Sequence, residues 1–126
     1  MNTLDMLAKV LQVVVALGIF NVWLLRLNKP TNYRGGNART MEEEFRVYGF
    51  SRFFMVAVGL LKALFAVLLL IGLVIPEAAT IGALGLALLM MAAFLMHVKV
   101  RDTLRKAVPA LLMFAMSVFV VLANRP

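Results

Sequence analysis

The chain has 126 residues, 63% of them hydrophobic, and thirteen Lys and Arg against six Asp and Glu give a net charge of +7. That apolar share is well above the roughly 45–50% of a soluble domain, so the basic excess reads as membrane flanks and argues against a nucleic-acid partner. The absence of cysteine rules out a disulfide, a thiolate ligand or a cysteine nucleophile, and a single histidine does not make a structural zinc site, so no metal is expected.

Leu4 to Leu27 is the first apolar run. Its length as a helix is roughly 36 Å, enough to cross a hydrocarbon core of about 30 Å with some tilt. It is too long for the apolar part of a signal peptide and lacks a small-residue cleavage pattern, so an uncleaved helix over 4–27 is expected. Residues 28–50 form the one sizeable polar loop, with turn-forming residues from Thr31 to Asn37. Thr40 and Glu43 have the spacing of a reciprocal capping box, which predicts a short helix ending near Gly49. Met41, Phe45 and Tyr48 fall on one face of that helix, and Glu42 precedes Arg46 by one turn on another. Such a helix lies on the membrane surface or over the mouth of a bundle.

Further crossings are predicted over 51–75, stopped by Pro76, over 78–100, and over 104–124. Asp102 or Thr103 is the natural N-cap of the last, and Pro109 should kink it or mark where its regular geometry begins. The fold class is therefore an all-α membrane protein, one domain over 1–126, in which a four-helix transmembrane bundle carries a short amphipathic interfacial helix in its first loop. The first and third loops hold ten Lys and Arg, against Lys9 and Arg125 on the other side. By charge bias the basic side faces the cytoplasm and both termini lie outside, in a cell membrane of the bacterial inner-membrane type.

Ionisable side chains within spans are costly and face the bundle interior. Lys62 shares an arc of the second crossing with Met55, Gly59, Ala63 and Ala66, and His97 shares one of the third with Ala79, Ala83, Leu86, Met90 and Ala93. Small residues mark close helix approach, so Lys62 and His97 are expected to point inward. Asn21 is placed with Val14, Leu17 and Gly18 on the inner arc of the first crossing, while Gln12 lies opposite and should need another partner or subunit. Lys62 sits roughly 16 Å from the basic end, near the midplane, with Asn21 and His97 nearer that end, so all three could line one pocket. A lysine at that depth needs a counter-ion, and Glu44 is the first choice to fold towards Lys62 or His97. The plainer readings are an interfacial histidine bonded to a loop carbonyl, a simple turn at Gly35-Gly36, and core filler for Met90, Met91 and Met96.

Several stretches together resemble the DoxX-like family of small four-helix membrane proteins. They are Asn21 to Arg26, Tyr33 to Gly36, Met41 to Phe45 with Tyr48-Gly49, Val58 to Lys62 with Gly72 and Pro76, and Met96 to Asp102 with Lys106 and Pro109-Ala110. The resemblance implies the architecture above, and relatives that accompany a membrane thiosulfate:quinone oxidoreductase or assist receptor assembly. It carries no family-wide catalytic residue, and by pattern alone it singles out Glu44, Lys62, His97 and Asp102.

Three functions follow, in this order. The first is an accessory or assembly subunit without catalysis of its own, packing Ala and Gly faces against other membrane proteins or a second copy. The second is a quinone-binding subunit of a membrane redox complex, with Lys62, His97 and Tyr48 donating to the quinone oxygens. The third is a small-solute carrier, for which four helices are few.

Overall fold

The computed structural model describes residues 2–124, and Arg125, counted above on the outer side, lies outside them. Among the described residues four helices are long and apolar enough to cross a membrane. These are α1 (Thr3–Phe20, continued by a π-helical segment, Asn21–Leu25), α3 (Arg52–Ile71), α4 (Pro76–Lys99) and α5 (Leu104–Ala123), with the short α2 (Met41–Tyr48) in the first loop. The predicted helical membrane bundle is what forms. The spans pack as a ring in which α1 touches α3 and α5, and α4 touches the same two, so α1 and α4 face each other across the centre.

The helix ends follow from local chemistry, with three departures from the sequence reading. At α2, Thr40 Oγ1 accepts from the Glu43 amide at 3.2 Å, but the Glu43 carboxylate accepts from the Arg39 amide at 2.8 Å, so only half of the capping box is made. Pro76 does not stop α3, which ends at Ile71 with Gly72 as its cap; it opens α4 instead, where its missing N–H has no helical partner to lose. Asp102 caps nothing: Thr103 holds the N-cap position of α5 without a side-chain bond, because the Asp102 carboxylate is engaged elsewhere. Pro109 lies inside α5, which is continuous across it.

Ala16, Ile19, Ala66, Leu69, Ala79, Ala83, Leu86 and Val120 fill the centre of the ring. Close approach of α3 and α4 depends on Gly82, where a Cβ would lie 2.6 Å from the Phe65 carbonyl oxygen. On α1 the expected inner arc is wrong. Val14 and Leu17 are exposed, and the buried face runs through Ala8, Gln12, Val15, Ala16 and Ile19. Gln12 finds its partner within the chain, donating from Nε2 to the Leu69 carbonyl at 3.0 Å. That carbonyl lies in the last turn of α3, where the helix leaves it without an amide, so a buried amide side chain satisfies it.

Candidate functional site

At the basic end the four helices part around a cavity of about 790 Å³, roofed by α2. Two turns of the same design bound it. At the end of α2, the Phe50 amide donates to the Phe45 carbonyl at 2.8 Å and the Gly49 amide to Arg46 at 3.0 Å, with Gly49 left-handed at φ 93°. At the end of α4, the Asp102 amide donates to the His97 carbonyl at 3.0 Å and the Arg101 amide to Val98 at 3.1 Å, with Arg101 left-handed at φ 59°. Both are Schellman motifs. The first uses the glycine that such a position favours, and its accompanying apolar contact is Phe45 against Phe50, ring centroids 6.3 Å apart. The second imposes left-handed geometry on an arginine.

The second turn has a consequence for the site. Reversing the chain after α4 carries the Asp102 carboxylate back over the helix, where it accepts from His97 Nδ1 at 2.7 Å. The Asp102 side chain is 5% exposed. It also accepts from the Gly36 amide at 3.0 Å and pairs with Lys106 at 3.8 Å, and Lys106 donates to the Gly36 carbonyl at 2.5 Å. The third loop is thus bolted to the first. With Nδ1 committed to the carboxylate, Nε2 has no partner among the described residues, and His97 lines the cavity. A histidine held this way presents a lone pair when neutral and an N–H when charged. Tyr48 packs edge-on against the imidazole, centroids 6.0 Å apart.

Arg34, which the sequence reading treated only as an orientation charge, organises the first loop. It is 4% exposed. Its guanidinium donates to the carbonyls of Arg26 and Leu27 and, at 3.0 Å, of Lys29, just beyond the π-helical segment; the first two also accept the amides of Lys29 and Met41. The remaining Nη1 meets Met41 Sδ at 3.6 Å and Glu44 at 3.8 Å. Burial lowers the Arg34 pKa, and the nearby Glu44 opposes that. The available signal was positional: an arginine shortly after a helix end, in a turn rich in glycine, can reach back to the last carbonyls.

Glu44 does not fold towards Lys62 or His97 as an ion pair. Its Oε2 accepts from the Gly35 amide at 2.5 Å and from the Tyr48 hydroxyl at 3.3 Å. These donors are nearer because α2 lies flat across the mouth, with Glu44 one turn from Tyr48 and beside the loop. Gly35 is required here, since a Cβ would lie 2.5 Å from the Tyr48 ring. Burial first, and Glu44 next, push the Tyr48 phenol well above its ordinary range.

The cavity therefore brings together five of the six expected residues, Asn21, Glu44, Tyr48, Lys62 and His97, while Asp102 stands behind His97 as its brace. Asn21 is exposed at the rim. Lys62 extends from α3 over the Trp23 ring, its Nζ 5.3 Å from the centroid, and has no carboxylate within ion-pair distance among the described residues. Trp23 is tucked against Gly59, where a Cβ would lie 2.5 Å from the indole. Phe45, Phe54, Val58, Met90, Ala93 and Met113 are among the apolar residues of the remaining wall. Among the described residues, no group of three or more His, Asp or Glu could hold a metal ion.

The sequence model of a family described as the DoxX-like family matches residues 10–120 of this chain. No match was found among curated proteins or among solved structures.

Proposed function

We propose for this chain, which belongs to the DoxX-like family, the role of a multi-pass membrane binding subunit that takes a lipophilic ligand from the bilayer into the cavity at its basic end. The observation that carries this reading is the cavity itself. At about 790 Å³ it falls within the roughly 300–1,000 Å³ of small-molecule pockets, and its walls are apolar apart from a few convergent polar groups. His97, fixed by Asp102, presents Nε2 to the ligand, and Lys62 projects over Trp23 deeper in the same space. The Lys62 ammonium and, in the charged form of the imidazole, the His97 Nε2–H suit a head with acceptor oxygens, and an isoprenoid quinone is the first probe to try.

The assembly-subunit reading rested on Ala and Gly faces available to a partner. Gly59, Gly82, Ala79 and Ala83 are engaged inside the chain, against Trp23, against Phe65 and in the central core, which leaves that reading its other grounds, the small size and the lack of a nucleophile or metal set. The ligand reading moves ahead of it. Charge bias supports an orientation with the basic end, and with it the cavity mouth, towards the cytoplasm.

Equilibrium dialysis of a short-chain quinone against the detergent-solubilised protein tests the reading. Saturable binding is expected, weakened about tenfold or more by His97→Ala through loss of a hydrogen bond in an apolar site. No saturable binding of any lipophilic probe by the wild type, or identical quinone binding by His97→Ala, would overturn it.

A further inference from the structure

The charges around the cavity do not balance. Glu44 is the one acid among its lining residues, and its oxygens are already taken by the Gly35 amide, the Tyr48 hydroxyl and the Arg34 guanidinium. Asp102, behind His97, is shared among Nδ1, the Gly36 amide and Lys106. Arg34 is matched by Glu44, and Lys106 by Asp102 and the Gly36 carbonyl. Lys62 is left over. It comes from α3 roughly 15 Å inside the basic end of its helix, and it meets neither a carboxylate nor a hydrogen-bond acceptor among the described residues. Its one polar contact is the face of Trp23, which attracts a cation but leaves the three ammonium N–H groups unbonded. Arg26, at the end of the π-helical segment, adds a second positive charge to the cavity lining.

An ammonium group removed from bulk water and left without an anion is unfavourable by several kcal/mol in general, unless something brings the missing charge. The apolar wall of Trp23, Phe54, Val58 and Met113 offers no such group. We propose that the ligand brings it: the site takes an amphiphile with one anionic head group, a long-chain carboxylate, whose oxygens pair with the Lys62 ammonium while its chain lies along the aromatic and aliphatic wall. This rests on the ligand-site reading above and names its ligand class. The carboxylate accepts from Lys62 Nζ and its negative charge offsets the excess at this end of the bundle. The cation–π contact with Trp23 holds the ammonium in place before the ligand arrives.

The test is a matched set of ligands displaced against one another on the detergent-solubilised full chain: palmitate, hexadecanol, the short-chain quinone and phosphatidylglycerol. Palmitate is expected to bind about tenfold or more tightly than hexadecanol. Lys62→Gln should erase that preference, with unchanged helical circular dichroism reporting that the variant is folded, and Lys62→Arg should restore it in part. Equal affinity for acid and alcohol, or a preference that survives Lys62→Gln, would overturn the inference. Displacement by phosphatidylglycerol but not by palmitate would overturn the single-chain carboxylate. Binding of the quinone without palmitate would overturn this inference and leave the ligand site standing, whereas binding of none of the four would overturn both.

Discussion

At one end of this bundle, around the turn from Gly72 to Ile75, helices meet through small residues: Gly72 lies against Ala79, and Gly82 against the backbone of α3. At the other end, bulky side chains hold the same helices apart, and the space that opens is roofed by α2 and edged by the Asp102 bonds. Among the described residues the Gly72 end has one long-range side-chain bond, Gln12 to the Leu69 carbonyl, while the open end ties two loops together through Asp102, Lys106 and Lys99, with Arg34 bracing the first loop from within. The difference is instructive. In lipid, close packing of small residues is sufficient to hold helices together, but helices held apart around a cavity need polar cross-links, because the lost van der Waals contact has to be offset.

The sharpest test of that contrast is Asp102→Ala. It strips His97 Nδ1, the Gly36 amide and Lys106 of a shared buried acceptor, and is expected to lower stability by about 3 kcal/mol, read by thermal or denaturant unfolding in detergent. A loss below about 1 kcal/mol would mean that the open end is not held by this side chain. Next in size, Gly82→Ala should cost about 2 kcal/mol, since the new Cβ meets backbone that cannot move aside. That change should leave ligand binding intact. Gly59→Ala provides the counterpart: its Cβ meets the Trp23 indole, which lines the cavity, so it should weaken binding more than it weakens the fold.

A smaller effect of opposite sign belongs to the second Schellman turn. Arg101→Gly removes a left-handed conformation that an L side chain dislikes, and is expected to stabilise the protein by about 1 kcal/mol in the same unfolding assay. Smallest of all is Tyr48→Phe, which loses one hydroxyl bond of 3.3 Å and should cost less than about 1 kcal/mol at neutral pH. Its signature is in alkali. The folded chain holds the Tyr48 proton more tightly than an unfolded chain does, so this contribution is complete below the ordinary value of 10.0 and is lost as the pH rises past it towards the folded value. The wild type should therefore lose more stability above pH 10.0 than the phenylalanine variant does, and parallel alkaline curves would contradict the assignment.

The spans were legible because apolar length is a property of neighbouring residues, although Pro76 was read as the stop of α3 and instead opens α4. The face of α2 was legible for the same reason, and Met41, Phe45 and Tyr48 are its buried side. Lys62 and His97 could be placed inward from small-residue arcs on their own helices. What escaped was pairing at a distance. The apolar residues of α1 surround it on all sides, so periodicity alone did not choose between the Gln12 face and the Asn21 face; Leu69 on α3 decides it. Asp102 was read as a cap because capping is a local habit of aspartate, whereas its carboxylate is claimed by a histidine made its neighbour by the Arg101 turn, and by a glycine far away in the first loop. Arg34 was missed because its partners are backbone carbonyls, which no side-chain pattern announces.

Trp23 is the single tryptophan of the chain, and it stands in the cavity wall beside Lys62. Following its emission while a short-chain quinone is titrated into the detergent-solubilised protein reads the cavity directly, and Ala93→Phe fills the same space from α4 as the control. The account predicts quenching that saturates in the wild type and is abolished by Ala93→Phe. Quenching that rises linearly without saturation, equal in the two proteins, would contradict it.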